Sequence, residues 1–374
     1  MNSSLFKSNY FFLMSMDRTS SGISVAFYFL INLLALTFIG NLIKDNSSFF
    51  LFIYSNPFAT IIIIVISFFL SMLIHELGHL LMGKLMGFKL IEIKVWFLSF
   101  SRIDNECKNS LQFKFKTILS FSGFTFMNPS EIDNFIARQI IFLSGGILFN
   151  LLAILIVTLY YSSIIVSNSL FQSFLIIFAF LQLFLIIINT FPLHSNDNLF
   201  DGRKIFNIFV NEPFKNSLII DSLNIKGIRP KEWLQYGLFK SYNHQLTEYD
   251  FSLKFYELLA YMDEKDQEKS SYIINQLLES IKYSSLELHD SICIHCALYY
   301  SFVDFQIDKV EECIHLIRNK FNPSTVSRTF LGIIQSKIMQ NNEQLQKNFL
   351  KLLDLLTTSP MKGTTQFYSD LLRQ

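Results

Sequence analysis

Charge and cysteine are both scarce in this sequence. Only 16% of its 374 residues are charged and the formal net charge is +1, with no Lys/Arg block long enough to act as a phosphate-binding tail. No nucleic-acid partner is expected. The four cysteines, Cys107, Cys293, Cys296 and Cys313, follow no regular spacing, so disulfides do not organise the fold. Cys293-Ile-His-Cys296 has the gap of a metal knuckle or redox pair, but it lacks a second pair and sits in a strongly helical stretch, so no metal is assigned to it. No small-x-small cleavage site follows the apolar run from Ile23 to Ile39. That run comes after Lys7 and Arg18, is longer than the core of a signal peptide, and is read as a retained span. Neither a nucleotide motif nor the glycine-rich signals of a PDZ insertion are found.

Apolar residues, in contrast, are abundant. They make up 51% of the chain, and Phe alone accounts for 42 residues, far above the usage of a water-soluble enzyme. They concentrate before about residue 203, and ordinary soluble sequence follows. Crossing a hydrocarbon core of about 30 Å takes roughly 20 apolar residues in a helix. Four stretches meet that need: 22–43, 58–83, 139–164 and 168–191. Phe49 to Tyr54 is too short to cross alone and is expected at the interface or as an extension of the second span. The segment between the second and third spans holds Lys84, Lys89, Lys94, Arg102, Lys108, Lys114, Lys116 and Arg138, whereas Tyr160 to Gln172 has no Lys or Arg. Positive loops face the cytoplasm, so both termini are expected inside.

The chain is therefore expected to be an α-helical polytopic membrane protein with a C-terminal all-α cytoplasmic domain. Its expected parts are a cytoplasmic segment 1–21, a membrane domain 22–205 and a soluble helical domain 206–374. Between the second and third spans, Ile91 to Phe97 and Leu111 to Thr117 alternate apolar with polar positions, which predicts two half-buried strands, a small β-hairpin at the membrane surface. Beyond the spans, Gly227 to Trp233 reads as a turn with Pro230 opening a helix. Residues such as Phe251, Phe255, Leu258 and Leu259, then Ile273, Ile274, Leu277 and Leu278, follow helical spacing and suggest stacked helical hairpins of solenoid type. Such a domain commonly binds a protein or peptide partner.

One constellation carries chemistry. His75 and His79 stand four residues apart, one above the other on a helix face, and Glu76 is displaced by one position. In His-Glu-x-x-His, two neutral imidazoles hold a zinc ion and the glutamate acts as general base. Residues Phe58 to Met82 contain no other ionisable side chain, and polar groups at the end of such a run are costly without a partner or a water-filled cavity. A catalytic zinc site needs a third protein ligand. The fourth span ends in Asn189-Thr190-Phe191-Pro192 on the same side as His79, and Asp201-Gly202 follows.

These motifs resemble the site-2 protease family of intramembrane zinc metallopeptidases. His75-Glu76-Leu77-Gly78-His79 matches the family's first motif, and Asn189-x-x-Pro192 with Asp201-Gly202 resembles its second. Ser144-Gly145-Gly146-Ile147-Leu148-Phe149-Asn150 is similar to the small-residue segment that opens its next core helix; the two glycines are expected to serve close helix packing alone. The similarity spans roughly 58–205. It departs from the family between Pro192 and Asp201, where eight residues, Leu193 to Phe200, stand in place of a shorter link. Asp201 is preferred as third ligand because Gly202 follows it and a helical pattern resumes, with Asp197 as the alternative. His194, in the same link, is a candidate for oxyanion or substrate contact or a plain loop histidine. The resemblance implies one Zn²⁺ per chain, Glu76 as catalytic base, and Asn189 orienting substrate backbone.

The expected activity is hydrolysis of a peptide bond in a membrane-anchored protein or signal-peptide-like substrate. The alternatives are a dedicated maturation peptidase for a small secreted or signalling peptide, and a non-catalytic metal-binding scaffold or exporter component. A multi-pass location in a bacterial cell membrane is expected, with the lipid bilayer and the substrate as partners.

Overall fold

A computed structural model describes residues 47–105, 108–115, 123–129, 133–163, 169–190, 194–195, 198–239, 248–281, 286–317, 324–357, 359 and 361–373. The expected first span, Cys107 and Asp197 lie outside them. The chain divides into two compact units, one running through Ser195 and taking in Leu199–Phe206, the other beginning again at Asn207.

The first unit opens with α1 (Ser47–Ser55), which Asn56-Pro57 separates from α2 (Pro57–Leu85). Proline suits the first position of a helix, where its missing N–H costs nothing, so the Phe49–Tyr54 run forms its own helix instead of extending the next. After a four-stranded sheet come α3 (Phe135–Ser163) and α4 (Ser169–Thr190). Three helices are long and apolar enough to cross a membrane: Pro57–Leu85, Phe135–Tyr161 and Leu170–Thr190. Phe58, Ile61, Ile62 and Val65 are exposed on α2, while Ile63 packs with Ile176 and Ile177 of α4. Ala153 and Val157 of α3 join Leu175, Phe178 and Ala179 of α4 in a second apolar contact layer.

The surface hairpin expected from two strands is instead a sheet of four. Strands β1 (Phe88–Val95), β2 (Leu98–Asn105), β3 (Lys108–Phe115) and β4 (Gly123–Pro129) are all antiparallel in the order β3-β2-β1-β4. The two strands read from the sequence, now β1 and β3, do not pair with each other, because β2 lies between them. Trp96 is also not a strand position: with φ of 53° it makes the turn into β2, and its ring packs on Phe69 of α2 at 6.4 Å. Nor is β1 open on its polar side. Glu92 and Lys94 are buried, and Ser99 Oγ of the neighbouring β2 donates to Glu92 Oε1 at 2.6 Å.

Two short strands, β5 (His194–Ser195) and β6 (Asn198–Leu199), occupy the link to α5 (Asp201–Val210). The second unit is helical: α6 (Glu212–Ile225), α7 (Pro230–Trp233), α8 (Glu248–Glu264), α9 (Gln267–Ser280), α10 (Leu286–Phe302), α11 (Ile307–Leu316), α12 (Thr325–Ile338), α13 (Asn342–Thr357) and α14 (Lys362–Leu371). Phe251, Phe255, Leu258, Leu259, Ile273, Ile274 and Leu277 are buried, as their spacing predicts. Consecutive helices pack in pairs, α8 with α9, α10 with α11 and α12 with α13, and α10 packs on both α8 and α12, so successive hairpins touch one another. The last helix returns to the first: Thr364 N–H donates to Asn224 Oδ1 at 2.8 Å, and Arg229 Nη1 reaches Asp370 at 2.6 Å while also binding Asp263. These polar ties join residues far apart in sequence, which hydrophobic periodicity does not encode.

Candidate metal centre

Helix α2 carries His75, Glu76 and His79 at its buried face, and the start of α5 brings in Asp201. His75 Nε2 lies 3.2 Å from Asp201 Oδ2, His79 Nε2 lies 3.0 Å from the same oxygen, and the two Nε2 atoms are 3.2 Å apart. Among the described residues, this is the group of His, Cys, Asp or Glu side chains that can hold a metal ion. Of the expected ligands the structure thus unites His75, His79 and Asp201. The side chain of His194 lies outside the described residues.

The donor set fits a small cation. Ligand bonds of about 2.0–2.1 Å in a tetrahedron place ligand atoms about 3.3 Å apart, close to what is seen here. His79 Nδ1 stands 2.9 Å from the Phe142 carbonyl, which can only accept, so Nδ1 carries a proton and the ring, when neutral, presents a lone pair at Nε2. That lone pair points at a carboxylate oxygen and a second imidazole nitrogen. Such convergent lone pairs repel in a buried site unless a cation stands among them.

Glycines bring the parts this close. A Cβ on Gly78 would lie 2.4 Å from the Gly145 carbonyl oxygen, so α2 and α3 touch backbone to backbone there. Gly146 does more than pack helices, contrary to the expectation for it: a Cβ there would fall 2.4 Å from Cε1 of His75, so the absent side chain is the seat of the imidazole ring. Gly202 explains why a glycine follows the aspartate, since its Cβ would meet the carbonyl oxygens of Asn189 and Thr190 at 2.6 Å. The side-chain amide of Asn189 donates through Nδ2 to the Leu185 carbonyl of its own helix at 2.9 Å.

Four further residues escaped the sequence reading or were seen only as part of a motif. Thr125 of β4 donates to Glu76 Oε2 at 2.7 Å, and Gly123 of the same strand leaves room for Oε1, where a Cβ would lie 2.4 Å away. Lys204, one turn into α5, sits 3.5 Å from Asp201 Oδ1 and leaves Oδ2 to the histidines. Asn150 Nδ2 lies 3.2 Å from His75 Nδ1. Cys293, Cys296 and Cys313 are buried in the helical unit and form no disulfide among the described residues.

Comparison with protein-family models, with curated proteins and with solved structures finds no match.

Proposed function

We propose that this chain is an intramembrane zinc metalloendopeptidase of the site-2 protease kind, acting on a membrane-anchored protein or a signal-peptide-like segment. The observation that carries the reading is the convergence of His75 Nε2, His79 Nε2 and Asp201 Oδ2 within 3.2 Å, next in sequence to a glutamate held in place by Thr125. Zinc, when bound, supplies Lewis acidity toward a peptide carbonyl and acidifies a water toward a pKa of about 7. Glu76 accepts a proton at the carboxylate oxygen that Thr125 does not occupy and returns it to the departing amine. A scaffold that only stored metal would have no use for a buried carboxylate gripped in this way.

A helical substrate must be unwound before its peptide bond can be attacked. β1 cannot take it up as an added strand, because both of its edges are already paired. β4 ends the sheet among the described residues and carries Thr125 beside Glu76, so an extended segment pairing with β4 passes the general base. The charge pattern of the loops supports a cytoplasmic position for this site.

The test is expression of the wild type and Glu76→Gln in the native host, with membrane and peptide fractions compared by mass spectrometry. A polypeptide that accumulates uncut in the variant alone supports the reading and identifies the substrate. Unchanged processing in His79→Ala, or purified wild type without zinc, refutes it.

A further inference from the structure

We infer that Asn150 is a positioning residue that fixes His75 in the tautomer able to bind metal through Nε2, with its side-chain oxygen, not its NH2, facing the ring; this deepens the metallopeptidase reading and rests on it. The amide oxygen of Asn150 is fully buried and has no hydrogen-bond partner among the described residues, while Nδ2 faces His75 Nδ1 at 3.2 Å. An NH2 in that place would require Nδ1 to accept and would move the ring proton to Nε2. Nε2 is the atom 3.2 Å from both Asp201 Oδ2 and His79 Nε2, where a proton would block a metal. The oxygen and nitrogen of an amide are interchanged by a half-turn about its last bond, and hydrogen-bond logic decides between them. With Oδ1 against Nδ1–H, the orphaned oxygen gains a donor, the proton stays on Nδ1, and the Nε2 lone pair is free.

The same helix does this for both imidazoles. Phe142, Gly146 and Asn150 fall at four-residue spacing on one face of α3. Phe142 accepts from His79 Nδ1 through its carbonyl, Gly146 makes the seat of the His75 ring, and Asn150 accepts from His75 Nδ1. One ring is thus oriented by a backbone group and the other by a side chain, so only the second can be removed by substitution. Partners of this kind typically change metal affinity by about 10–100-fold when lost.

The test uses the full chain in detergent, stripped of metal and titrated with Co²⁺ or Zn²⁺ against a competing chelator. The visible Co²⁺ spectrum reports geometry, and the melting temperature of the metal-free form reports the fold. Asn150→Leu should weaken binding by about 10–100-fold and alter the Co²⁺ spectrum without lowering the metal-free melting temperature. Asn150→Asp, which presents only acceptors, should bind at least as tightly as wild type. If instead Asn150→Asp binds tenfold more weakly, or Asn150→Leu binds like wild type, the assignment is overturned while the peptidase reading stands. A wild type that takes up neither ion brings down the metal reading itself.

Discussion

The metal group shows how much a residue pattern can carry and where it stops. The four-residue spacing of His75 and His79 fixes a common helix face, so the pair was legible from sequence, as was the need for a carboxylate after α4. Their supporting contacts were not. His79 is oriented by the Phe142 carbonyl, and every residue has a carbonyl, so nothing in the sequence marks this one. Thr125 and Lys204 are ordinary polar residues whose roles depend on where the backbone brings them. Each contact has a distinct consequence. Thr125→Val should leave metal content intact and lower kcat by about 10²-fold or less, the lower range for a well-placed acid–base group, as read by cleavage of the substrate identified in cells. Lys204→Met frees Asp201 Oδ1 from its cation and should weaken zinc binding severalfold in chelator competition with kcat unchanged at saturating metal; an equal fall in kcat would place Lys204 in the reaction itself.

At the scale of elements, the apolar runs announced α2, α3 and α4 because a bilayer-length helix needs little more than uninterrupted apolar sequence. The sheet was only half legible. β4 begins with Gly123 and ends in Asn128-Pro129, signals that otherwise mark turns, and β2 loses its alternation at Arg102-Ile103-Asp104-Asn105. Both become strands because β1 offers them paired edges, a tertiary cause. The crossing of α2 and α3 is also tertiary, since Gly78 and Gly145 meet at a distance no side chain allows. Gly145→Ala should therefore destabilise the membrane unit by about 1–3 kcal/mol in detergent denaturation. It should also displace His75 relative to Asp201 and reduce zinc stoichiometry. An alanine variant as stable as the wild type would show that the helices can part without cost.

The whole molecule joins an apolar unit built around the metal group to a helical unit with its own buried polar chemistry, and that chemistry sets a pH response. In the helical unit, burial lowers the His295 pKa to about 4; Tyr368 donates to Nε2 at 2.6 Å, and Nδ1 faces the Ser291 carbonyl at 2.7 Å. The ring is therefore neutral when folded. Unfolding restores a pKa near 6.5, so its contribution is complete above about pH 6.5 and is lost as pH falls toward 4. Asp221 behaves oppositely. Burial raises its pKa to about 7 against the Tyr256 hydroxyl that donates to it at 2.6 Å, so its contribution is complete below about pH 4 and is lost as pH rises through 7. Each group alone gives a slope of about 1.4 kcal/mol per pH unit, and the two have opposite signs between pH 4 and 6.5, so their contributions largely offset each other there in the wild type. Single substitutions should separate them. Asp221→Asn leaves the His295 dependence, with stability falling as pH drops from 6.5 to 4, whereas His295→Gln leaves the Asp221 dependence, with stability falling as pH rises from 4 to 7. Denaturation followed by the fluorescence of Trp233, which is fully buried in this unit, in a Trp96→Phe background reads the helical unit alone. Parallel pH profiles for the two variants would show that neither group titrates as its burial requires.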